Sequence, residues 1–81
     1  MNSYIATFFT HYGALKFDRD CKKVGVSSKM MPVPRKLSSS CGTCVRFEAE
    51  DHTFFEIDED LEGCYLITGQ DTYQEVFVTE D

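Results

Sequence analysis

Lysine and arginine are absent from residues 47–81, the second part of the chain. All eight lie within residues 1–46, together with only two acids, whereas residues 47–81 contain twelve acids. The first part therefore carries a charge of +6 and the second −12, which gives the net charge of −6. This acidic total excludes a typical nucleic-acid-binding protein. The basic first part still offers a local site for a small anion or an acidic partner.

Long apolar runs are also missing, and so is tryptophan. No stretch is long enough to span a membrane, and residues 1–9 lack the basic start and apolar run of a signal peptide. We therefore expect a cytoplasmic protein, without a membrane partner, whose four cysteines are reduced. If the cysteines did pair, the sequence would allow three connectivities.

The length of 81 residues predicts one domain. We expect a folded core at about residues 3–68, followed by a strand or tail at 69–81. Seven Phe and four Tyr provide large side chains for this small core.

The periodicity of the first half predicts a strand at residues 4–9 and then a helix at residues 11–24. Thr10 is suited to cap the helix and Gly25 to end it. The apolar residues on one face of this helix are Ala14, Phe17, Cys21 and Val24. The remaining predicted elements are an edge strand at 27–33, a strand at 42–47, a short helix at 51–61, a strand at 63–68 and a strand or ordered tail at 73–78.

The order β-α-β-β-α-β predicts a ferredoxin-like split βαβ sandwich, with an antiparallel four-stranded sheet and two helices on one face. An irregular α+β domain is the alternative. In the ferredoxin-like topology the third strand lies between the first two and runs opposite to both. Thr10 and His11 would then lie close to Arg35 and Cys41.

The loop between the second and third predicted strands has the composition of a site that presents a thiol. Two prolines restrict its backbone, Arg35 and Lys36 follow, and Ser38, Ser39 and Ser40 precede Cys41 and Gly42. Only a thiolate is nucleophilic, and nearby cations, a helix start and backbone amides increase the ionised fraction of a thiol. His11 could shuttle a proton, or it could be an ordinary exposed residue of the first helical turn.

Cys41 and Cys44 form a CxxC pair, but this pair opens a strand rather than a helix as in thioredoxin. Cys44 is either a resolving thiol or a small apolar strand residue. Cys21 and Cys64 are expected to fill the core. A zinc site needs two close ligand pairs and only one is present, so we expect no metal.

Several of these segments resemble a known family. Thr10-His11 before the helix, Pro32 to Arg35, and Ser38 to Gly42 are similar to the DUF3343 family of small bacterial selenium/sulfur carrier-like proteins, and the resemblance covers most of residues 3–67. It implies that Cys41 is the carrier thiol, in a pocket shaped by Arg35, the three serines and Gly42.

The leading hypothesis is a sulfur or selenium carrier that loads Cys41 from a donor protein and passes the cargo to an acceptor protein, without a cofactor of its own. The alternatives are a thiol-disulfide redox module that uses Cys41 and Cys44, and a non-catalytic domain that binds an anion or an acidic partner. The sequence leaves a homodimer open.

Overall fold

A computed structural model describes residues 2–37, 40–50 and 60–78. These residues form one antiparallel sheet of five strands and a single helix. The elements in chain order are β1 (Asn2–Phe8), α1 (His11–Lys23), β2 (Ser28–Pro32), β3 (Thr43–Ala49), β4 (Leu61–Gly69) and β5 (Thr72–Val78). The strand order across the sheet is β2-β3-β1-β4-β5. β3 therefore lies between β1 and β2, and it is antiparallel to both, as expected.

The predicted ferredoxin-like sandwich with a four-stranded sheet and two helices is wrong. The fifth strand arises because the chain turns back after Gly69, and Thr72–Val78 pairs with β4 as a hairpin. Asp71 has a φ of 57° in this turn, a left-handed conformation that Asp adopts more readily than most residues. Of the predicted second helix, residues 51–59 lie outside the described part of the chain, Asp60 is in a turn, and Leu61 begins β4.

α1 forms where the periodicity and the capping residues predict it. The Thr10 hydroxyl accepts a hydrogen bond from the backbone N–H of Gly13 at 3.0 Å, which satisfies a donor of the first turn. Beyond the helix, Gly25 has a φ of 79°, the left-handed conformation that commonly follows a helix end. Lys22 and Lys23 lie in the last turn, where cations interact favourably with the helix dipole.

The core lies between α1 and one face of the sheet. Ala14, Phe17 and Cys21 of the helix pack in one cluster with alternate residues of β1 and β3 and with Leu61 and Cys64 of β4. The ring of Phe47 is at its centre, with a centroid 5.3 Å from that of Tyr4 and 5.3 Å from that of Phe17. Aromatic pairs at this distance stabilise a small core beyond the area that they bury.

The opposite face of the sheet, called here the second face, carries Ile5, Thr7 and Cys44, all of them almost fully buried. Lys36 and Leu37 line a groove with Tyr65 of β4 on this side of the sheet. The segment after β2 therefore crosses the second face before the chain returns to begin β3. No helix of the described residues is long and apolar enough to span a membrane.

Candidate functional site

Cys41 lies in the turn that leads into β3 and is the one cysteine of four that is not buried. Its side chain is half-buried and packs against the margin of the core. The thiol donates a hydrogen bond to the backbone carbonyl of Thr43, with 3.3 Å between Sγ and O. Gly42 has a φ of 73°, and this left-handed backbone allows the turn between Cys41 and β3.

The first turn of α1 lies beside the beginning of β3. His11 Nδ1 is 3.4 Å from Thr43 Oγ1, although the two residues are 32 positions apart. β1 ends, and Thr10 follows, at the end of the sheet where β3 begins. The fold thus brings the predicted residues Thr10 and His11 to the turn that carries Cys41. The positive end of the helix dipole is also at this end of the sheet.

Ser40 is held by a residue that the sequence interpretation missed. One oxygen of the Glu62 carboxylate accepts a hydrogen bond from Ser40 N at 3.1 Å, and the other accepts one from Ser40 Oγ at 2.9 Å. The strand order could have predicted this contact, because the start of β4 lies at the same end of the sheet as the start of β3. Ser38 and Ser39, the other two predicted serines, lie outside the described residues.

Arg35 and Lys36 line a groove in which Cys41 takes no part. Its volume is about 300 Å³, and its other lining residues are Pro34, Asp71 and Tyr73. Two cations of the basic first part therefore face an acid of the β4–β5 turn. The loop places these charges across the second face of the sheet, toward its opposite end.

Cys44 occupies a different environment from Cys41. It is fully buried on the second face, and its thiol donates a hydrogen bond to the carbonyl of Pro32 at 3.7 Å. Burial, with a smaller contribution from the charge of Cys41, raises the pKa of Cys44 to about 11. At neutral pH the Cys44 thiol is therefore protonated and enclosed.

Cys21 and Cys64 are buried in the core, as their apolar positions predicted. Burial, followed by the charges of Asp18 and Asp20, raises the pKa of Cys21 to about 12. Burial alone raises the pKa of Cys64 to about 12. Among the described residues, no group of three or more His, Cys, Asp or Glu side chains is arranged to hold a metal ion.

Comparison with known proteins identifies the family. The sequence model described as "Putative Se/S carrier protein-like" matches residues 3–57, which is more than half of the chain and includes the Cys41 turn and the first turn of α1. No curated protein and no solved structure gave a significant match. The resemblance noted in the sequence is thus confirmed, and the chain belongs to the Se/S carrier-like family.

Proposed function

We propose that the protein carries sulfane sulfur or reduced selenium on Cys41 and passes it to an acceptor protein. The main support is the accessibility of this thiol, because Cys21, Cys44 and Cys64 are all buried. A carrier must meet the thiols of two other proteins, and only Cys41 is placed to do so. Membership of the Se/S carrier-like family is consistent with this role.

The chemistry consists of two exchanges. In loading, the Cys41 thiolate attacks the outer sulfur of a persulfide on the donor protein, the S–S bond of the donor breaks, and the donor leaves as a thiolate. In handover, a thiolate of the acceptor attacks the outer sulfur on Cys41, and Cys41 leaves as a thiolate. Each exchange forms one S–S bond and breaks one, so no external oxidant or reductant is consumed. A selenium atom in the outer position would follow the same steps.

Ionisation of Cys41 requires that its hydrogen bond to the Thr43 carbonyl is given up, because a thiolate has no proton to donate. The positive end of the α1 dipole lies at the same end of the sheet and would attract an anionic outer sulfur of the cargo. We assign Thr10 and His11 to this role because they form the helix start beside β3. The negative charge of Glu62 would repel an anion at Cys41. Its two hydrogen bonds from Ser40 instead fix the position of the residue before Cys41.

Direct handover to an acceptor thiol is favoured over release by Cys44. Release would require the Cys44 thiolate to attack Cys41 Sγ, form a disulfide and expel the outer sulfur. Cys44 has no exposed surface, and its pKa is raised to about 11, so little thiolate exists at neutral pH. A redox module that cycles between Cys41 and Cys44 would meet the same obstacle.

Intact mass measurement tests the proposal. Reduced protein is incubated with a cysteine desulfurase and cysteine, and we expect a mass gain of one sulfur atom that dithiothreitol removes. Cys41→Ser should abolish the gain, whereas Cys44→Ser, the matched control, should retain it. A gain that persists in Cys41→Ser would contradict the proposal. So would oxidation of the wild type to a Cys41–Cys44 disulfide with no added sulfur.

A further inference from the structure

One edge of the sheet combines backbone groups that pair with no other described strand and two cations that lie opposite each other. β2 is at the end of the strand order, so within residues 2–37, 40–50 and 60–78 it has β3 as its one neighbour. Lys29 of β2 lies directly opposite Arg46 of β3, and both side chains are exposed. Like charges directly opposite each other on neighbouring strands are destabilising. Neither cation makes an ion pair with the described residues.

Two hydrogen bonds at the ends of β2 show which of its backbone groups face β3. Ser27 O accepts a hydrogen bond from Glu48 N at 3.1 Å, and Val33 N donates one to Gly42 O at 3.1 Å. The backbone N–H and C=O groups of the odd-numbered residues therefore point toward β3. Because this direction alternates along a strand, the N–H and C=O groups of Ser28 and Met30 point away from the sheet, whereas the Pro32 carbonyl, at the strand end, accepts the hydrogen bond from Cys44 Sγ. Pro32 has no N–H. Within the described part of the chain, the outer edge of β2 therefore presents the N–H and C=O groups of Ser28 and Met30 with no neighbouring strand.

A groove of about 180 Å³ runs beside this edge, lined by Ser27, Ser28, Lys29, Arg46 and Glu48. Glu48 is the one acid among these lining residues, and its carboxylate accepts a hydrogen bond from Ser3 Oγ at 3.4 Å. The lining residues thus comprise two cations, Lys29 and Arg46, and one anion, so the groove carries a net positive charge.

We propose that the β2 edge binds an extended acidic segment of a partner protein by strand addition. The backbone of the segment would pair with Ser28 and Met30, and its carboxylates would neutralise Lys29 and Arg46. The same cations would repel the β2 edge of a second copy, which argues against self-pairing there. The acidic residues 47–81 would repel an acidic partner, which favours an approach from the basic first part of the chain, where Lys29 and Arg46 lie.

The β2 edge leads to the turn that carries Cys41. β2 ends at Pro32, and the next residue, Val33, is hydrogen-bonded to Gly42, the neighbour of Cys41. A strand added along β2 would thus lead to the turn that carries Cys41. A docked partner would have its chain aligned with this thiol. The docking itself does not require Cys41 chemistry.

The test is binding of a fluorescent peptide of alternating valine and glutamate, long enough to cover the five residues of β2. We expect saturable binding that weakens as salt increases. Lys29→Glu with Arg46→Glu should weaken it by about tenfold or more, because two charge contacts are reversed. The matched control is Arg19→Glu with Lys23→Glu, which changes the net charge equally on exposed positions of α1 and should have little effect.

A second pair of variants tests strand addition itself. Met30→Pro removes an outward N–H without removing a hydrogen bond to β3, whereas Met30→Ala removes the side chain and keeps the N–H. We expect Met30→Pro to lose binding relative to Met30→Ala, with both folded by circular dichroism. Cys41→Ser should bind as the wild type does, so a failure of carriage would leave this result intact.

Three outcomes would overturn the proposal. The first is equal loss in the two charge-reversal variants, which would indicate a general effect of net charge. The second is equal binding by Met30→Pro and Met30→Ala. The third is displacement of the peptide by a single-stranded oligonucleotide at lower concentration than by unlabelled peptide, which would assign the edge to nucleic acid.

Discussion

Gly42 and Gly25 share a backbone conformation but differ in their distance from the candidate site. Their φ values are 73° and 79°, and a Cβ built at either position would meet no atom of the described residues within 4 Å, apart from its own chain neighbours. Alanine at either position is therefore expected to cost about 1 kcal/mol of unfolding free energy from backbone strain alone. Gly42 adjoins Cys41, whereas Gly25 follows the end of α1 at the opposite end of the helix.

We predict that Gly42→Ala and Gly25→Ala lower the unfolding free energy by similar amounts in urea titrations. Only Gly42→Ala should change the alkylation rate of Cys41, because only there does relief of the strain move the turn before β3. Equal Cys41 rates in the two variants would show that the conformation of Gly42 does not position the thiol.

At the scale of the elements, Asp18 joins α1 to β2. Its carboxylate accepts hydrogen bonds from Ser28 Oγ at 2.7 Å and from Lys22 Nζ at 2.7 Å, and its side chain is 11% exposed. Burial by itself would raise the pKa of Asp18. The hydrogen bonds of Lys22 and Ser28 and the charge of Lys22 outweigh burial, and the pKa is lowered. The Lys22 side chain is 61% exposed, so solvent weakens its ion pair, and the hydrogen bond from Ser28 contributes more to the stability of the fold.

We predict that Asp18→Asn lowers the unfolding free energy by about 1 to 2 kcal/mol at neutral pH. A lowered native pKa stabilises the fold above the unfolded value of about 3.9, and this stabilisation is lost as the pH falls through the native pKa. The difference between wild type and Asp18→Asn in denaturant titrations should therefore shrink under acid. Asp20→Asn, an exposed position on the same helix, is the control. A difference that is unchanged by acid would contradict this origin.

At the scale of the whole molecule, sequence periodicity was enough to predict β1, α1, β2 and β3. Apolar alternation and the Thr10 cap are local signals, and the structure agrees with them within one or two residues. The predicted fold class was wrong because residues 73–78, expected as a strand or an ordered tail, form a fifth strand of the sheet, and because the described elements include a single helix. Thr72–Val78 has weak alternation, and its pairing with β4 is decided by tertiary contacts with the sheet.

The site was predictable in part for the same reason. The meeting of α1 and β3 followed from strand order, and His11 contacts Thr43. The expected cluster of cations around Cys41 did not follow from strand order, because strand order does not determine toward which end of the sheet a loop directs its side chains. Arg35 and Lys36 line the groove near Asp71, and the carboxylate of Glu62 binds Ser40 beside Cys41. The charge division along the sequence predicted a local site for an anion or an acidic partner, but it did not predict that Arg35 and Lys36 would lie near Asp71.

The proposed function requires that one thiol of four, that of Cys41, is available for exchange. Site-resolved alkylation by iodoacetamide, followed by peptide mass spectrometry from pH 6 to pH 9 under native conditions, tests it most directly. We predict that Cys41 reacts first throughout, and that Cys44, Cys21 and Cys64 react only on unfolding, because burial raises their pKa values to about 11, 12 and 12. Reaction of Cys44 at a rate equal to that of Cys41 in the folded protein would contradict the account.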